Sequence, residues 1–469
     1  MDKESFRQYG YQFVDWMVDY FAQIEALPVK LHLRPGEVRK KLPEKPPAQG
    51  ESMDSVFKDF QDIILPGISH WQHPSWFAYF PANNSPPSIL AEMLTAGIGA
   101  QCMVWQTSPA AAELEEVVME WLRQMLGLPE GMAGVIQDTA STSTLVALLS
   151  ARERATNFHA NLKGIQNTLR VYASEETHSS IEKGVKIAGY GKENLRYIPT
   201  DDKFAMIPEK LEESIVEDKN KGFQPACVVG TVGTTSSTAV DPLASIGKIC
   251  RRHDMWFHVD AAFSGTAAML PEKKWMFEGV EYVDSFVFNP HKWMLTNFDC
   301  SAYFVKDSGT LIQTFAVHPE YLKTGVDAEV KNYRDWGIQL GRRFRALKLW
   351  FVIRYYGVKG LQKIVREHNR LAEMVKDWVK QDERFELMAP VPVSLVCFRL
   401  NDGRDEDQLN ELNKEFLERL NRTGKLLLTQ TSLRGKYVLR MSTAARLTEE
   451  KHVREAWELI RSTAGEVLS

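Results

Sequence analysis

Short apolar runs alternate with longer helical patterns through the middle of the chain. The runs that have the composition of β-strands fall at residues 170–173, 195–198, 226–232, 256–259, 285–288 and 302–305. The segments between them carry apolar residues at the three- and four-residue spacing of amphipathic helices. This alternation predicts an α/β domain, in which helices cover both faces of a doubly wound, mostly parallel sheet.

The N-terminal part follows a different pattern. Five large apolar residues recur at helical spacing, namely Phe13, Trp16, Met17, Tyr20 and Ile24. They predict an amphipathic helix over residues 5–27, and its unusually large apolar face needs a partner surface. Residues 30–50 contain four prolines and are predicted to form an extended linker that wraps around other parts of the protein.

Beyond the alternating region, the pattern indicates a smaller C-terminal unit. A long helix is predicted near residues 335–356, and strand-like runs follow at 394–398, 425–428 and 437–441. A chain of 469 residues is long enough for two or three domains. We therefore expect a helical segment at 1–84, a large α/β domain at 85–360 and a small α+β domain at 361–469.

Composition excludes several classes of protein. Hydrophobic residues make up 44% and charged residues 25% of the chain, which is typical of a folded globular protein. The net charge of −4 gives no reason to expect nucleic acid, and Arg342, Arg343 and Arg345 fit an ion-paired helix face. No apolar run could span a membrane, and residues 1–6 do not resemble a secretory signal. We expect a cytoplasmic protein that binds neither nucleic acid nor membrane.

The cysteines and histidines give little indication of a metal site. The five cysteines are scattered, and none forms a CxxC pair, so neither a disulfide framework nor a zinc site is expected. His70 and His73 form an HxxH pattern, but Pro74 follows at once and no third ligand is evident. The sequence therefore predicts no metal.

Lys292 is the most informative residue of the chain. It lies in the segment Asn289–Trp293, directly after the strand-like run 285–288. Desolvation disfavours the charged ammonium, so a buried lysine has a lowered pKa, and its free amine can attack a carbonyl cofactor such as pyridoxal 5′-phosphate (PLP). Most lysines only solvate a surface, so this interpretation depends on the neighbouring motifs.

Asp260 provides the second part of the pattern, because it ends the strand-like run 256–259 and is followed by small residues. A carboxylate beside the pyridine nitrogen of PLP keeps that nitrogen protonated and makes the ring an electron sink. Two unit charges about 3 Å apart attract by roughly 5 kcal/mol at an effective dielectric of about 20, which is an upper bound. The alternative role for Asp260 is an ordinary helix N-cap.

Two further segments complete a candidate cofactor site. Residues 137–144 are polar and lead into an apolar helical run, so the N–H groups and hydroxyls near Ala140 and Ser141 are suited to a phosphate. His178 lies between a short strand and a helix, where its flat ring could stack on a cofactor. A lone histidine is more often a structural residue, and that alternative stays open.

These motifs resemble those of a known family. The segments TAS, THSS, GTT, HVDAAFSG and NPHKW occur in the order found in group II PLP-dependent decarboxylases, specifically the aromatic L-amino-acid decarboxylases. The resemblance extends from about residue 9 to residue 440. It implies the PLP-dependent transferase fold of type I, which is aspartate aminotransferase-like, and a homodimer with shared active sites. It also implies that the N-terminal part lies on the other subunit.

The resemblance implies roles for individual residues. Lys292 would form an imine with PLP, Asp260 would pair with the pyridine nitrogen, and His178 would stack on the ring. Further cofactor contacts are implied for Ala140, Ser141, Thr235, Ala262, Asn289 and His291. The implied substrate pocket consists of Trp71, Tyr79, Phe80, Ala82, Met103, Phe298 and Gly341, of which Met103 comes from the partner chain.

Three of the implied residues bear on the reaction and its substrate. Tyr321 would be the proton donor, since decarboxylases of this type carry tyrosine there and the related plant aldehyde synthases carry phenylalanine. Gly341 would favour an indole substrate, since related enzymes for phenols carry serine. Position 82 holds alanine where relatives often carry a hydroxyl residue, so a polar contact to the substrate is not expected there.

The expected reaction is decarboxylation of an aromatic L-amino acid, such as tryptophan, 5-hydroxytryptophan, tyrosine, DOPA or phenylalanine, to an arylalkylamine. An aromatic aldehyde synthase, a PLP-binding protein without turnover and a decarboxylase of acidic amino acids stay open as alternatives. A nucleotide-binding α/β protein is not favoured. The segment Gly97–Cys102 lacks the third glycine of a dinucleotide fingerprint, and no phosphate-binding GxxxxGK[ST] motif occurs.

Overall fold

The computed structural model describes residues 1–317 and 329–469. Its strands in chain order are β1 Ala133–Gln137, β2 Leu169–Ser174, β3 Leu195–Ile198, β4 Gln224–Thr231, β5 Trp256–Asp260, β6 Ser285–Phe288, β7 Ser301–Val305, β8 Phe385–Leu387, β9 Leu395–Leu400, β10 Thr429–Leu433 and β11 Lys436–Ser442. They form a seven-stranded and a four-stranded sheet within the described residues.

The seven-stranded sheet has the order β1-β7-β6-β5-β4-β2-β3. Strands β2 to β6 run parallel to one another, while β7 is antiparallel to both β1 and β6. Buried side chains cover both faces, with Phe257 and Phe286 on one side and Val229 and Val287 on the other. The predicted mostly parallel α/β sheet is confirmed.

The helices in chain order are α1 Lys3–Gln23, α2 Met53–Asp59, α3 Pro86–Ile98, α4 Pro109–Leu126, α5 Ala140–Ala155, α6 His159–Lys163, α7 Ser179–Ile187, α8 Pro208–Asn220, α9 Leu243–Arg252, α10 Pro290–Trp293, α11 Ser308–Phe315, α12 Arg345–Gln381, α13 Glu406–Arg422 and α14 Glu450–Leu468. Helix α12 is two helices joined by a kink at Gly357, whose φ of 63° lies in the left-handed region that glycine adopts without a Cβ clash.

The C-terminal part has its own antiparallel sheet, in the order β10-β11-β9-β8. The second half of α12, with α13 and α14, packs on this sheet and encloses a separate core that includes Phe398, Phe416 and Ile460. This arrangement agrees with the predicted α+β unit. The domain boundary at residue 360 remains a prediction, since α12 continues through it.

Helix α1 is shorter than the predicted helix over 5–27, because it ends at Gln23 and a 3-10 turn follows at Ile24–Ala26. Part of its apolar face packs on residues 53–64, where the ring centres of Phe13 and Phe57 are 4.7 Å apart and those of Trp16 and Phe60 are 5.1 Å apart. No residue of α1 is buried.

Two predicted elements are wrong in their position. The strand predicted at 425–428 is reduced to a single parallel bridge between Leu427 and Trp76. The Asn421 side chain hydrogen-bonds both the N–H and the carbonyl of Leu428, and β10 begins one residue later. The helix predicted from 335 begins only at Arg345. In the segment before it, Gln137 donates to the Trp336 carbonyl, and the Gln101 amide accepts from Arg342 N. These tertiary hydrogen bonds replace the helical ones.

Strands β1 and β8 were not predicted, since both are short and their sequences lack the alternation of a strand. Among the described residues, no helix is long and apolar enough to cross a membrane, and no group of three or more His, Cys, Asp or Glu side chains is arranged to hold a metal ion. His70 and His73 bond instead to Tyr20 and to the backbone N–H of Ser75.

Candidate active site

A cavity of about 200 Å³ lies at the carboxyl ends of strands β4, β5 and β6. Ligands of open α/β sheets bind at this edge. The residues that line it are Phe80, Thr139, Ala140, Ser141, His178, Ser180, Thr231, Gly233, Thr235, Asp260, Ala262, Phe263, Asn289, His291 and Lys292. A larger open cleft of about 830 Å³ borders α14. It contains none of the residues predicted for the site, so its size alone does not indicate function.

Lys292 lies on the four-residue helix α10, which directly follows β6. Burial lowers the pKa of its ammonium, and the Asp260 carboxylate raises that pKa by a smaller amount. The net direction favours the free amine, which is the form that attacks a carbonyl. The amine lies 5.8 Å from the centre of the Phe80 ring, on the cavity side.

Asp260 is the last residue of β5 and is buried at the cavity wall. Its Oδ1 accepts a 2.9 Å hydrogen bond from the N–H of Ala262, which fixes the direction of the carboxylate. His258, two residues earlier on the same face of β5, is neutral, because burial lowers its pKa to about 4. It bonds to Ser285 and Thr144, so β5 is tied to β6 and to helix α5.

The N-terminus of α5 also lines the cavity. Thr139 caps this helix and its hydroxyl accepts the N–H of Thr142, which leaves Ala140 and Ser141 as the first helical residues. The first N–H groups of a helix have no partner within the helix and form a site for anions. This wall therefore suits a phosphate.

His178 caps α7 at the mouth of the cavity. Its Nδ1 accepts a 3.1 Å hydrogen bond from Ser180 N. In the neutral ring the proton is therefore on Nε2. The contact fixes the ring orientation, since a histidine without such a bond could rotate.

His291 and Asn289 line the cavity as well. Nδ1 of His291 accepts from the N–H of Cys300 at 2.9 Å, and burial lowers the pKa of His291 to about 3. His291 is therefore a neutral ring with its Nε2–H as donor. Asn289 is buried beside it, and its backbone N–H donates to the carbonyl of Ala262.

Aromatic rings form the apolar wall. Phe80 stacks on Phe263 with ring centres 3.9 Å apart, and Phe263 stacks on Trp293 at 4.7 Å. Because Trp293 is the neighbour of Lys292 in α10, this stack connects the apolar wall to the lysine. Phe263 was part of the HVDAAFSG motif, but its place in the wall was not foreseen from the sequence.

The cavity contains every cofactor-contact residue predicted from the sequence, together with Phe80. The other predicted substrate residues lie outside its lining: Trp71, Tyr79, Ala82, Met103, Phe298 and Gly341. Trp71 and Tyr79 stack on each other and are partly exposed, and the exposed Phe298 packs against His291 with ring centres 4.6 Å apart. Tyr321 lies outside the described residues. The roles of all these residues remain predictions.

Arg440 is a residue near the site that sequence reasoning missed. It is buried on β11, its guanidinium lies 5.3 Å from the Phe80 ring centre, and it donates to the carbonyls of Thr235 and Ser236. The C-terminal sheet thereby holds the Thr235 loop in place. The sequence of residues 437–441 predicted only a strand. Nothing in it indicated a contact with the loop of Thr235 and Ser236.

The polar atoms of the cavity fit PLP. The N-terminus of α5, the Asp260 carboxylate and the Lys292 amine match the phosphate, the pyridine nitrogen and the aldehyde of PLP.

Comparison with known proteins agrees with this chemistry. Residues 35–401 match the pyridoxal-dependent decarboxylase conserved domain. The chain is 46% identical to tryptophan decarboxylase 2 of Oryza sativa subsp. japonica, over 100% of this chain and 96% of that one. It is 45% identical to phenylacetaldehyde synthase of Arabidopsis thaliana, over 100% and 97%. The crystal structure of Oryza sativa TDC with PLP and tryptamine gives a TM-score of 0.97 at 38% identity, covering 100% and 99%.

The chain therefore belongs to the pyridoxal-dependent decarboxylase family, and its cofactor is PLP. Within that family it belongs with the aromatic amino acid decarboxylases, as the sequence motifs implied. The predicted type I fold of PLP-dependent enzymes is likewise confirmed.

Proposed function

We propose that this protein decarboxylates an aromatic L-amino acid to the corresponding arylalkylamine and carbon dioxide. The observation that carries the proposal is the stacked wall of Phe80 and Phe263 beside Lys292, because a flat apolar side chain packs well against such rings.

The proposed residue roles are those that the family resemblance implied, and the position of these residues in the cavity lining supports them. When bound, PLP supplies an electron sink for the bond broken at the substrate Cα. Lys292 would hold the cofactor through its amine, Asp260 would keep the ring nitrogen protonated, and His178 would stack on the ring. Ala140, Ser141, Asn289 and His291 would hold the phosphate, and Thr235 and Ala262 would contact the ring.

Product analysis tests the proposal. Purified protein with PLP is incubated separately with tryptophan, 5-hydroxytryptophan, tyrosine, DOPA and phenylalanine, and products are identified by mass. We expect an amine and carbon dioxide from at least one of them, with little hydrogen peroxide. The alternative is an aldehyde synthase, supported by the similarity to phenylacetaldehyde synthase. It would give aldehyde, ammonia, carbon dioxide and hydrogen peroxide from substrate, dioxygen and water.

Tyr321 is proposed to donate the proton that ends the decarboxylation at the amine. Its replacement by phenylalanine is expected to lower amine formation by about 10²-fold or more, since a positioned general acid contributes roughly 10² to 10⁴. Without that proton dioxygen can react at Cα, so aldehyde and peroxide should rise. Amine and peroxide are measured on the same samples. Amine formed at the wild-type rate without peroxide would remove Tyr321 from this role.

We also propose a homodimer with shared active sites. Helix α3 packs on α12 with one side and exposes an apolar stripe on the other, formed by Leu90, Met93, Leu94 and Ile98. These side chains are between 41% and 63% exposed and recur at helical spacing. Helix α1 adds a second uncovered apolar surface.

Replacing Leu94 by lysine is expected to shift the protein from dimer to monomer and to lower turnover in parallel, because a charge would be buried at the interface. Analytical ultracentrifugation at assay concentration measures the change. Leu162→Lys is the control, since Leu162 is a lone exposed leucine on α6. A fully active monomer would contradict the shared site.

A further inference from the structure

Asn83 is buried at the junction of three distant parts of the chain. Its side-chain Nδ2 donates to the carbonyl of Lys292 at 2.6 Å and to the carbonyl of Ala444 at 2.9 Å. Its Oδ1 accepts the N–H of Arg446 at 2.8 Å. Only 1% of the residue is exposed. Both amide hydrogens and the amide oxygen are thus used, and the pattern fixes the orientation of the amide.

The bond to Lys292 matters because α10 has only four residues. So short a helix makes few internal hydrogen bonds, and its carbonyls need partners from outside. Asn83 supplies the partner at Lys292 itself, the residue whose amine faces the cavity. Because Asn83 holds the backbone of Lys292, it also constrains the direction of the Lys292 side chain.

Two neighbours of Asn83 continue the same support. The buried Ser85 hydroxyl donates to the carbonyl of Leu295 at 2.8 Å, and the Ser88 hydroxyl accepts the N–H of Asn297 at 2.8 Å. Leu295 has a φ of 56°, a conformation that a leucine adopts only where its surroundings enforce it. The chain from Asn83 to Ser88 therefore clamps the segment from Lys292 to Asn297.

We propose that Asn83 is a positioning residue, which holds the Lys292 backbone so that the amine is aimed at the aldehyde of PLP before the cofactor arrives. Pre-organisation of this kind lowers the cost of capturing the cofactor. The inference rests on the proposed role of Lys292. This role for Asn83 gives the segment 1–84 a part in holding the cofactor, beyond the substrate contacts that the resemblance implies for other residues of that segment.

The test compares two ligands in the apoprotein. PLP carries the aldehyde that reacts with Lys292, whereas 4-deoxypyridoxine 5′-phosphate has a methyl group in its place and binds through the other contacts alone. We expect Asn83→Asp, which is isosteric but cannot donate to two carbonyls, to weaken PLP binding at least tenfold. Affinity for the deoxy analogue should change by less than twofold. A general loss of structure would weaken both ligands together.

Asn413 provides a matched control. It is fully buried in α13, its Nδ2 donates to the carbonyls of Leu400 and Leu409, and its Oδ1 accepts the N–H of Leu400. Asn413→Asp therefore loses the same two donated bonds and keeps the accepted one, outside the cavity. It should lower thermal stability to a comparable degree while leaving the affinity for both ligands unchanged.

Ser85→Ala is a milder second variant that keeps the proposal testable if Asn83→Asp does not fold. It should weaken PLP binding about threefold and leave the deoxy analogue unaffected. Equal changes for both ligands, or none for either, would overturn the positioning role. Lys292→Ala tests the proposed role of Lys292 by itself. If that variant binds PLP like the wild type, the role of Lys292 fails, and the role of Asn83 fails with it. If it binds PLP weakly, only the two ligands' response to Asn83→Asp decides the role of Asn83.

Discussion

Replacing Lys292 by alanine is expected to abolish the visible absorption of protein-bound PLP and to lower turnover by about 10⁴-fold or more. The amine holds the cofactor aldehyde, and in addition it can carry protons, a function that alone contributes roughly 10² to 10⁴. Absorption spectra of the reconstituted protein and product formation under saturating substrate measure the two effects. The visible absorption and the turnover should be lost together.

Lys273→Ala is the matched control for this experiment. Burial also lowers the pKa of Lys273, but its amine donates to the carbonyl of Pro392, outside the cavity. That variant should retain its spectrum and turnover. A Lys292→Ala protein with a normal spectrum and near-normal turnover would remove the basis of the proposed function.

The sequence predicted the sheet and the positions of Asp260 and Lys292 for related physical reasons, whereas Thr235, Ala262, Asn289 and His291 were implied only by the family resemblance. Parallel strands buried on both faces are continuous apolar runs, so their ends are visible in the sequence. Asp260 and Lys292 each follow such a run, and the carboxyl ends of neighbouring parallel strands meet at one edge. The register confirms this, since Asp260 pairs with Thr231 of β4 and Val287 of β6.

What the sequence could not predict depends on contacts between distant segments. The N-terminal end of α12 was misplaced because Gln101 and Gln137 hydrogen-bond the backbone of the segment before it. Nothing local distinguishes that segment from a helix. The role of Asn83 could not be predicted for the same reason, because its three hydrogen bonds reach residues more than two hundred positions away.

The substrate pocket is less completely defined than the cofactor site, again for a physical reason. Most of the predicted pocket residues lie on exposed surface outside the cavity lining, as Trp71, Tyr79 and Phe298 do. A pocket closed by a second copy of the chain would bury them, and this agrees with the proposed dimer.

Asp260→Ala is expected to lower turnover by about 10³- to 10⁴-fold. The attraction between the carboxylate and a protonated ring nitrogen is at most roughly 5 kcal/mol, and each 1.36 kcal/mol corresponds to about a factor of ten in rate. The bound cofactor should lose a proton from its ring nitrogen and become a weaker electron sink. Steady-state kinetics give the loss. Asp218→Ala is the control, because Asp218 is a buried carboxylate that accepts hydrogen bonds from the Tyr172 hydroxyl and from Arg196 and does not line the cavity.

A cofactor analogue distinguishes the charge of Asp260 from its packing. N-methyl-PLP carries a permanent positive charge on the ring nitrogen, so it needs no carboxylate to stay cationic. The smaller alanine side chain also leaves room for the added methyl group. We therefore expect N-methyl-PLP to raise the turnover of Asp260→Ala at least tenfold over PLP, while the wild type gains nothing from it. If the variant is equally slow with both cofactors, Asp260 acts by shaping the cavity and not by holding the charge of the ring.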